Sequence, residues 1–261
     1  MIDWLIQSTT GHPALARGIA PPGLLSEQEQ LRFMELRTIK RRSDWLIGRW
    51  TAKHLIQAYV ERQTGIQPPL HTLTVINDPD GAPRIITDCS SRSQFAICNL
   101  QLSISHCDGH AFCALSDICG LQVGADIERV EPRAAAFAED YFTAHELDLL
   151  RGAPPDSRDA LVTLIWSAKE AALKALRLGL TVDTRTISCT VAPALQLAPA
   201  WAALGIQAAP GLLGDREYGF QGWWRQFGQY VLTIVAMGAG HQPIDNIPMT
   251  SLRAARPALI L

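Results

Sequence analysis

The chain has 261 residues, 48% of them hydrophobic and 18% charged, with 23 Lys+Arg against 25 Asp+Glu. That apolar content can bury one large core or two smaller ones and excludes a disordered chain. The near balance of charge gives no general attraction to nucleic acid or to an anionic membrane, so any basic site must be local.

The first residues, MIDWLIQSTT, carry an acid and no basic segment ahead of their short apolar run. They do not read as a secretory signal, and no stretch of about 18 uncharged apolar residues follows that could span a bilayer. The expectation is a cytoplasmic protein without a membrane segment. Its six cysteines form no CxxC pair and fit reduced thiols better than a disulfide framework.

From Leu25 to Val60 the pattern is helical, with Ser26 three residues before Glu29 as a capping box and a stripe through Trp45, Leu46, Trp50, Lys53 and Ile56. Two helices are expected, ended by Pro68 and Pro69. His71 to Ile76 is a short β-branched run closed by the turn signal NDPDGAP. In Leu100 to His106, Leu102, Ile104 and His106 share one strand face with Leu100, and Gln101, Ser103 and Ser105 share the other. Ala111–Ser116 and Leu121–Glu128 read as a hairpin across DICG. In the second of these strands Leu121, Val123, Ala125 and Ile127 alternate with Gln122, Gly124, Asp126 and Glu128, so both acids point the same way. His106, Cys107, His110 and Cys113 are zinc-ligand types, but on two short strands around a turn they diverge to different faces, and a zinc site is set aside.

An amphipathic segment runs from Pro132 to Leu150, and Asp159 can cap a helix reaching Arg177. A strand at Thr186–Val191 follows. Pro193 to Pro210 reads as loop with some helix, Glu217 to Met237 as two strands, and the last twenty residues as a loose tail. LIGRWTAKHLIQAYV and LIWSAKEAALKALRL, each followed by an apolar strand, echo one another. The expected fold class is α+β in two similar α/β halves, residues 1–119 and 120–261.

Asp126, Glu128 and Glu170 suit a hard cation such as Mg²⁺, which takes oxygen ligands and keeps room for substrate phosphates. In WSAKEAALK, Glu170 and Lys174 are four apart on one helix face, with Trp166 one turn earlier. Taken singly, the two acids of the strand read more readily as a solvated strand end, and the Glu–Lys spacing as an ordinary surface ion pair.

Together these residues resemble the 4'-phosphopantetheinyl transferase superfamily, in particular its two-halved surfactin-synthetase type. The matching motifs are Gly124, Asp126 and Glu128 on a strand, then Trp166, Lys169, Glu170 and Lys174 on a helix. GRWTAK with Arg49 and Lys53, the DGAP turn with Gly81 and Pro83, SISH with Ser105 and His106, and FTAHEL with Phe142 and Glu146 resemble the same family. Ala82 stands where that type often has a basic residue, with Arg84 as the nearest replacement. The resemblance implies two halves related by pseudo-two-fold symmetry and a monomer. It implies transfer of the 4'-phosphopantetheine group of coenzyme A to a serine of an apo acyl or peptidyl carrier protein. Arg49, Lys53, Gly81, Pro83, Ser105, His106, Lys169 and Lys174 would contact coenzyme A, and Asp126, Glu128 and Glu170 would hold Mg²⁺. Glu170, Lys174 and Asp126 would be catalytic, with Glu170 as the base. The alternative is a non-catalytic relative that binds coenzyme A or a carrier.

Overall fold

The computed structural model describes residues 1–86, 99–191, 200–214, 218–239 and 249–255. By internal contacts the chain divides into two units, one from Met1 to Cys119 joined by a late strand and one from Gly120 to Ser251.

The first unit opens with β1 (Ile2–Ser8), a strand that the reading of the N-terminal apolar run had not named. A single turn of helix, α1 (Pro13–Ala16), follows. The capping box expected at Ser26 is present at the start of α2 (Glu27–Met34): Ser26 Oγ accepts from the Glu29 amide at 3.4 Å, and the Glu29 carboxylate accepts from the Ser26 amide at 2.9 Å. The long helix α3 (Ile39–Thr64) begins where Thr38 accepts from the Arg41 amide and ends at Gly65, whose φ of 72° is the left-handed conformation that closes helices. Then come β2 (Thr74–Asn77), β3 (Pro83–Ile86), β4 (Gln101–Cys107) and β5 (His110–Ser116). Asp108 and Gly109, at φ 45° and 72°, form the tight turn between β4 and β5.

The second unit comprises β6 (Leu121–Arg129), α4 (Ala135–Tyr141), α5 (Ala144–Gly152), α6 (Pro155–Ala175), β7 (Ile187–Thr190), β8 (Ala202–Ala208), β9 (Tyr218–Phe227) and β10 (Tyr230–Ala239). A final strand, β11 (Leu252–Ala254), pairs in parallel with β1 and belongs to the first unit.

The first unit holds a sheet in the order β11-β1-β5-β4 and the ribbon β2-β3; the second holds a sheet in the order β6-β10-β9-β8-β7. In the first unit, α3 packs Ala52, Leu55, Ile56, Tyr59 and Val60 against Leu5, Leu102, Cys113 and Leu115. In the second, α6 packs Leu164, Ile165, Ala168, Ala171 and Ala172 against Cys189, Leu204, Trp224, Val231 and Val235. The mixture of helices and antiparallel strands is the expected α+β class.

Four expectations need correction. The hairpin across DICG does not form: both edges of β5 are taken by β1 and β4, whereas β6 pairs with β10. The helix expected from Asp159 starts at Pro155, where proline fits the first turn because no intrahelical N–H is needed there. Part of the Pro- and Ala-rich stretch is β8, whose Leu204 and Ile206 alternate inward; residues 192–199 lie outside the described residues. The C-terminal stretch read as a tail contains β11, held by Arg253 against the buried Asp3 at 2.6 Å. Cys107, Cys113, Cys119 and Cys189 are thiols outside any disulfide, while Cys89 and Cys98 lie outside the described residues. Among the described residues no helix is long and apolar enough to cross a membrane.

Candidate functional site

The acidic residues are assembled by a close approach of β6 and α6. Gly124 makes it possible: a Cβ there would stand 1.8 Å from the Ala171 carbonyl oxygen and 2.7 Å from the Ala175 nitrogen. The glycine of the Gly-x-Asp-x-Glu pattern is therefore a packing requirement. Helix α6 is also tied to β10, since Ser167 Oγ and Thr233 Oγ1 lie 2.8 Å apart and Thr233 Oγ1 donates to the Ser167 carbonyl at 3.0 Å. Thr233 is the cross-strand partner of Asp126.

At this approach Lys174 Nζ donates to Asp126 Oδ1 at 2.6 Å, with the Ala125 carbonyl 3.3 Å away. Asp126 is only 3% exposed. Two residues along the strand, Glu128 accepts from Arg133 Nη2 at 2.9 Å and from the Trp166 indole at 3.2 Å. Trp166 is in turn packed edge-on against Phe137 and Tyr141. The sequence motif gave no hint of Arg133, which follows Glu128 in a loop.

Burial raises the Glu128 carboxyl above its ordinary value and the charge of Asp126 raises it further, while Arg133 and Trp166 pull it back. Burial likewise raises Glu170; Lys174 opposes the rise, and Asp126 and Glu128 add to it. The three acids thus raise one another's carboxyls as one electrostatic site, and their all-oxygen chemistry fits a hard cation. Among the described residues no three His, Cys, Asp or Glu side chains stand close enough together to hold a metal as arranged. Lys174 and Arg133 supply positive charge at two of the acids instead.

The proposed nucleotide residues fall in the first unit. Arg49, Gly81, Pro83 and His106 line one cavity of about 680 Å³, together with Trp45, Asn77, Arg32, Lys40 and Arg41. Arg49 is 5% exposed. Its guanidinium lies 4.8 Å over the Trp45 ring and donates to Asn77 Oδ1 at 2.6 Å. Burial lowers its pKa to about 10, with Glu29 acting in the opposite sense. The sequence placed Arg49 on a helix within GRWTAK, but Asn77 read only as part of a turn. Ser105 is buried and is not among the lining residues. Arg84 is also absent from the lining and pairs with Asp78 at 2.7 Å.

Lys53 and Lys169 are not presented to any ligand. Both are fully buried, Lys53 in an ion pair with Glu29 and Lys169 with Glu146 at 2.9 Å. Lys53 Nζ also donates to the Leu24 carbonyl at 2.6 Å, and Lys169 Nζ to the Thr184 and Ile187 carbonyls at 3.0 and 2.6 Å, so each buried ammonium is satisfied inside the protein.

Residues 122–234 match the family model of the 4'-phosphopantetheinyl transferase superfamily. The 4'-phosphopantetheinyl transferase HetI of Nostoc sp. is 30% identical over 142 residues, which are 52% of this chain and 59% of that relative. A holo-(acyl-carrier-protein) synthase from Bacillus anthracis, solved with CoA, is 16% identical, with 46% of this chain and 96% of that one covered at a TM-score of 0.36. The Chronobacterium ammoniagenes ACPS–CoA complex is 17% identical, with 46% and 98% covered at a TM-score of 0.35. The superfamily resemblance read from the motifs is borne out over 122–234, the segment that contains every residue of the acidic site. The chain spans 59% of the length of the curated relative.

Proposed function

We propose that the protein transfers the 4'-phosphopantetheine group of coenzyme A to a serine of an apo acyl or peptidyl carrier protein, acting as a cytoplasmic monomer. The observation that carries this reading is the acidic site at Asp126, Glu128, Glu170 and Lys174, assembled through Gly124 within the segment that matches the superfamily.

In this reading the serine oxygen attacks the pantetheine-side phosphorus of coenzyme A, the bond to the other phosphate breaks, and adenosine 3',5'-bisphosphate leaves. Glu170 takes the serine proton, a role that suits a carboxyl held above its ordinary value. Lys174 offers an ammonium to the pyrophosphate when it turns from Asp126. Mg²⁺ would be held by Asp126, Glu128 and Glu170 and would supply the positive charge that phosphoryl transfer requires. The basic cavity at Arg49 and His106 would receive the 3'-phosphate, where a planar guanidinium offers two parallel donors.

The rival is a relative that binds coenzyme A or a carrier and transfers nothing. Intact-mass spectrometry of an apo-carrier incubated with the protein, coenzyme A and Mg²⁺ separates the two. Transfer adds the phosphopantetheine mass to the carrier and releases adenosine 3',5'-bisphosphate. An unchanged carrier that still co-purifies with the protein favours the rival.

A further inference from the structure

Asn77, the last residue of β2, uses both ends of its amide. Oδ1 accepts from Arg49 Nη2 at 2.6 Å, and Nδ2 donates to the Gly81 carbonyl at 2.6 Å. All three residues line the basic cavity. The amide therefore locks a guanidinium on α3 to the turn between β2 and β3, and the Trp45 ring covers that guanidinium. Nε of Arg49 lies 3.8 Å from the Glu29 carboxylate.

The second unit builds the same corner with apolar residues in place of Arg49 and Asn77. Glu29 accepts from the Val75 amide and pairs with Lys53; Glu146 accepts from the Cys189 amide and pairs with Lys169. Counting four residues back from each lysine, Arg49 corresponds to Ile165. Counting two residues on from each anchored amide, Asn77 corresponds to Val191. Ile165 and Val191 are 0% and 5% exposed and belong to one apolar core. The scaffold therefore requires neither a guanidinium nor an amide at these places. Arg49 is buried, and burying a guanidinium is costly unless it serves something else; Asn77 lies exposed at the cavity, where its amide holds that guanidinium.

We propose that Asn77 is a positioning residue for anion recognition, fixing the Arg49 guanidinium toward the cavity so that the site selects a nucleotide carrying a phosphate monoester on its ribose. This rests on the reading of the cavity as the nucleotide site. Without the amide, Arg49 keeps its charge and loses its orientation.

Calorimetric titration with adenosine 3',5'-bisphosphate and with adenosine 5'-monophosphate tests it. The unaltered protein is expected to prefer the bisphosphate, and Asn77→Ala to lose about tenfold in that preference while the monophosphate binds unchanged. A double variant, Arg49→Ile with Asn77→Val, copies the apolar pair of the second unit. It is expected to unfold cooperatively near the temperature of the unaltered protein and to show no preference for the bisphosphate. Full preference retained by Asn77→Ala or by the double variant overturns the role of Asn77. No preference in the unaltered protein overturns the nucleotide reading of the cavity, and the role of Asn77 with it.

Discussion

The two units run through the same series of elements and spend their polar residues differently. Among the described residues each has a strand, short helices, one long helix and then four strands, and in each the first strand pairs with the last of those four. Each starts its second helix with a capping box, Ser26–Glu29 or Thr143–Glu146. Each uses the capping glutamate again to hold a fully buried lysine and a strand amide. That clamp is the common scaffold.

What differs lies around it. Counted from the hairpin turns, Asp126 pairs with Thr233 as Leu5 pairs with Cys113, and Glu128 pairs with Val231 as Gln7 pairs with Ala111. Counted from the buried lysines, Glu170 corresponds to His54 and Lys174 to Ala58. The first unit thus has no acid at any of these places, and the second has Ile165 and Val191 where the first has Arg49 and Asn77. Residues that both units share build the fold, and residues that only one unit has mark candidate chemistry.

The largest test of this division is Gly124→Ala. The corresponding residue of β1 is Asp3, so only the second unit demands a bare backbone there. With a Cβ forced to 1.8 Å from a carbonyl oxygen, the variant is expected to lose its cooperative unfolding transition in calorimetry. A native-like transition would mean that the close approach is not required.

Next come the clamps. Lys53→Met and Lys169→Met each leave a buried carboxylate without its ammonium and are expected to cost about 3 to 5 kcal/mol in denaturant titrations. Adding Glu29→Gln or Glu146→Gln should recover part of each loss. A large loss in one unit and none in the other would break the equivalence of the two clamps.

The smallest effect concerns His54, the counterpart of Glu170. Burial holds His54 below the ordinary imidazole value; the Trp50 carbonyl that its Nδ1 meets at 2.8 Å raises it, and the charge of His12 lowers it. The unfolded chain therefore takes up this proton first. Stability is present in full above about pH 6.5 and is lost as pH falls toward the depressed folded-state value. His54→Gln should flatten that part of the stability profile and leave transfer activity unchanged. An unaltered slope would show that His54 does not titrate as described.

Much of this was legible in the sequence because it rests on short-range patterns. The strand alternation that put Asp126 and Glu128 on one face, the Glu170–Lys174 spacing and the Ser26–Glu29 box all depend on local geometry. The partner choice of β5 and β6 was not legible, because a DICG turn signal does not reveal that both edges of β5 are already taken. Lys53 and Lys169 were misread as ligand contacts for a similar reason. Only three-dimensional packing brings Glu29 and Glu146 to them, from positions 24 and 23 residues away.

The central claim is that the acidic site of the second unit performs the transfer. It is tested most directly by Glu170→Gln, which keeps the size of the side chain and removes the proton acceptor. With apo-carrier, coenzyme A and Mg²⁺, intact-mass spectrometry is expected to show no phosphopantetheine on the carrier, while the variant unfolds at the temperature of the unaltered protein. Near-normal conversion by the folded variant would contradict the account.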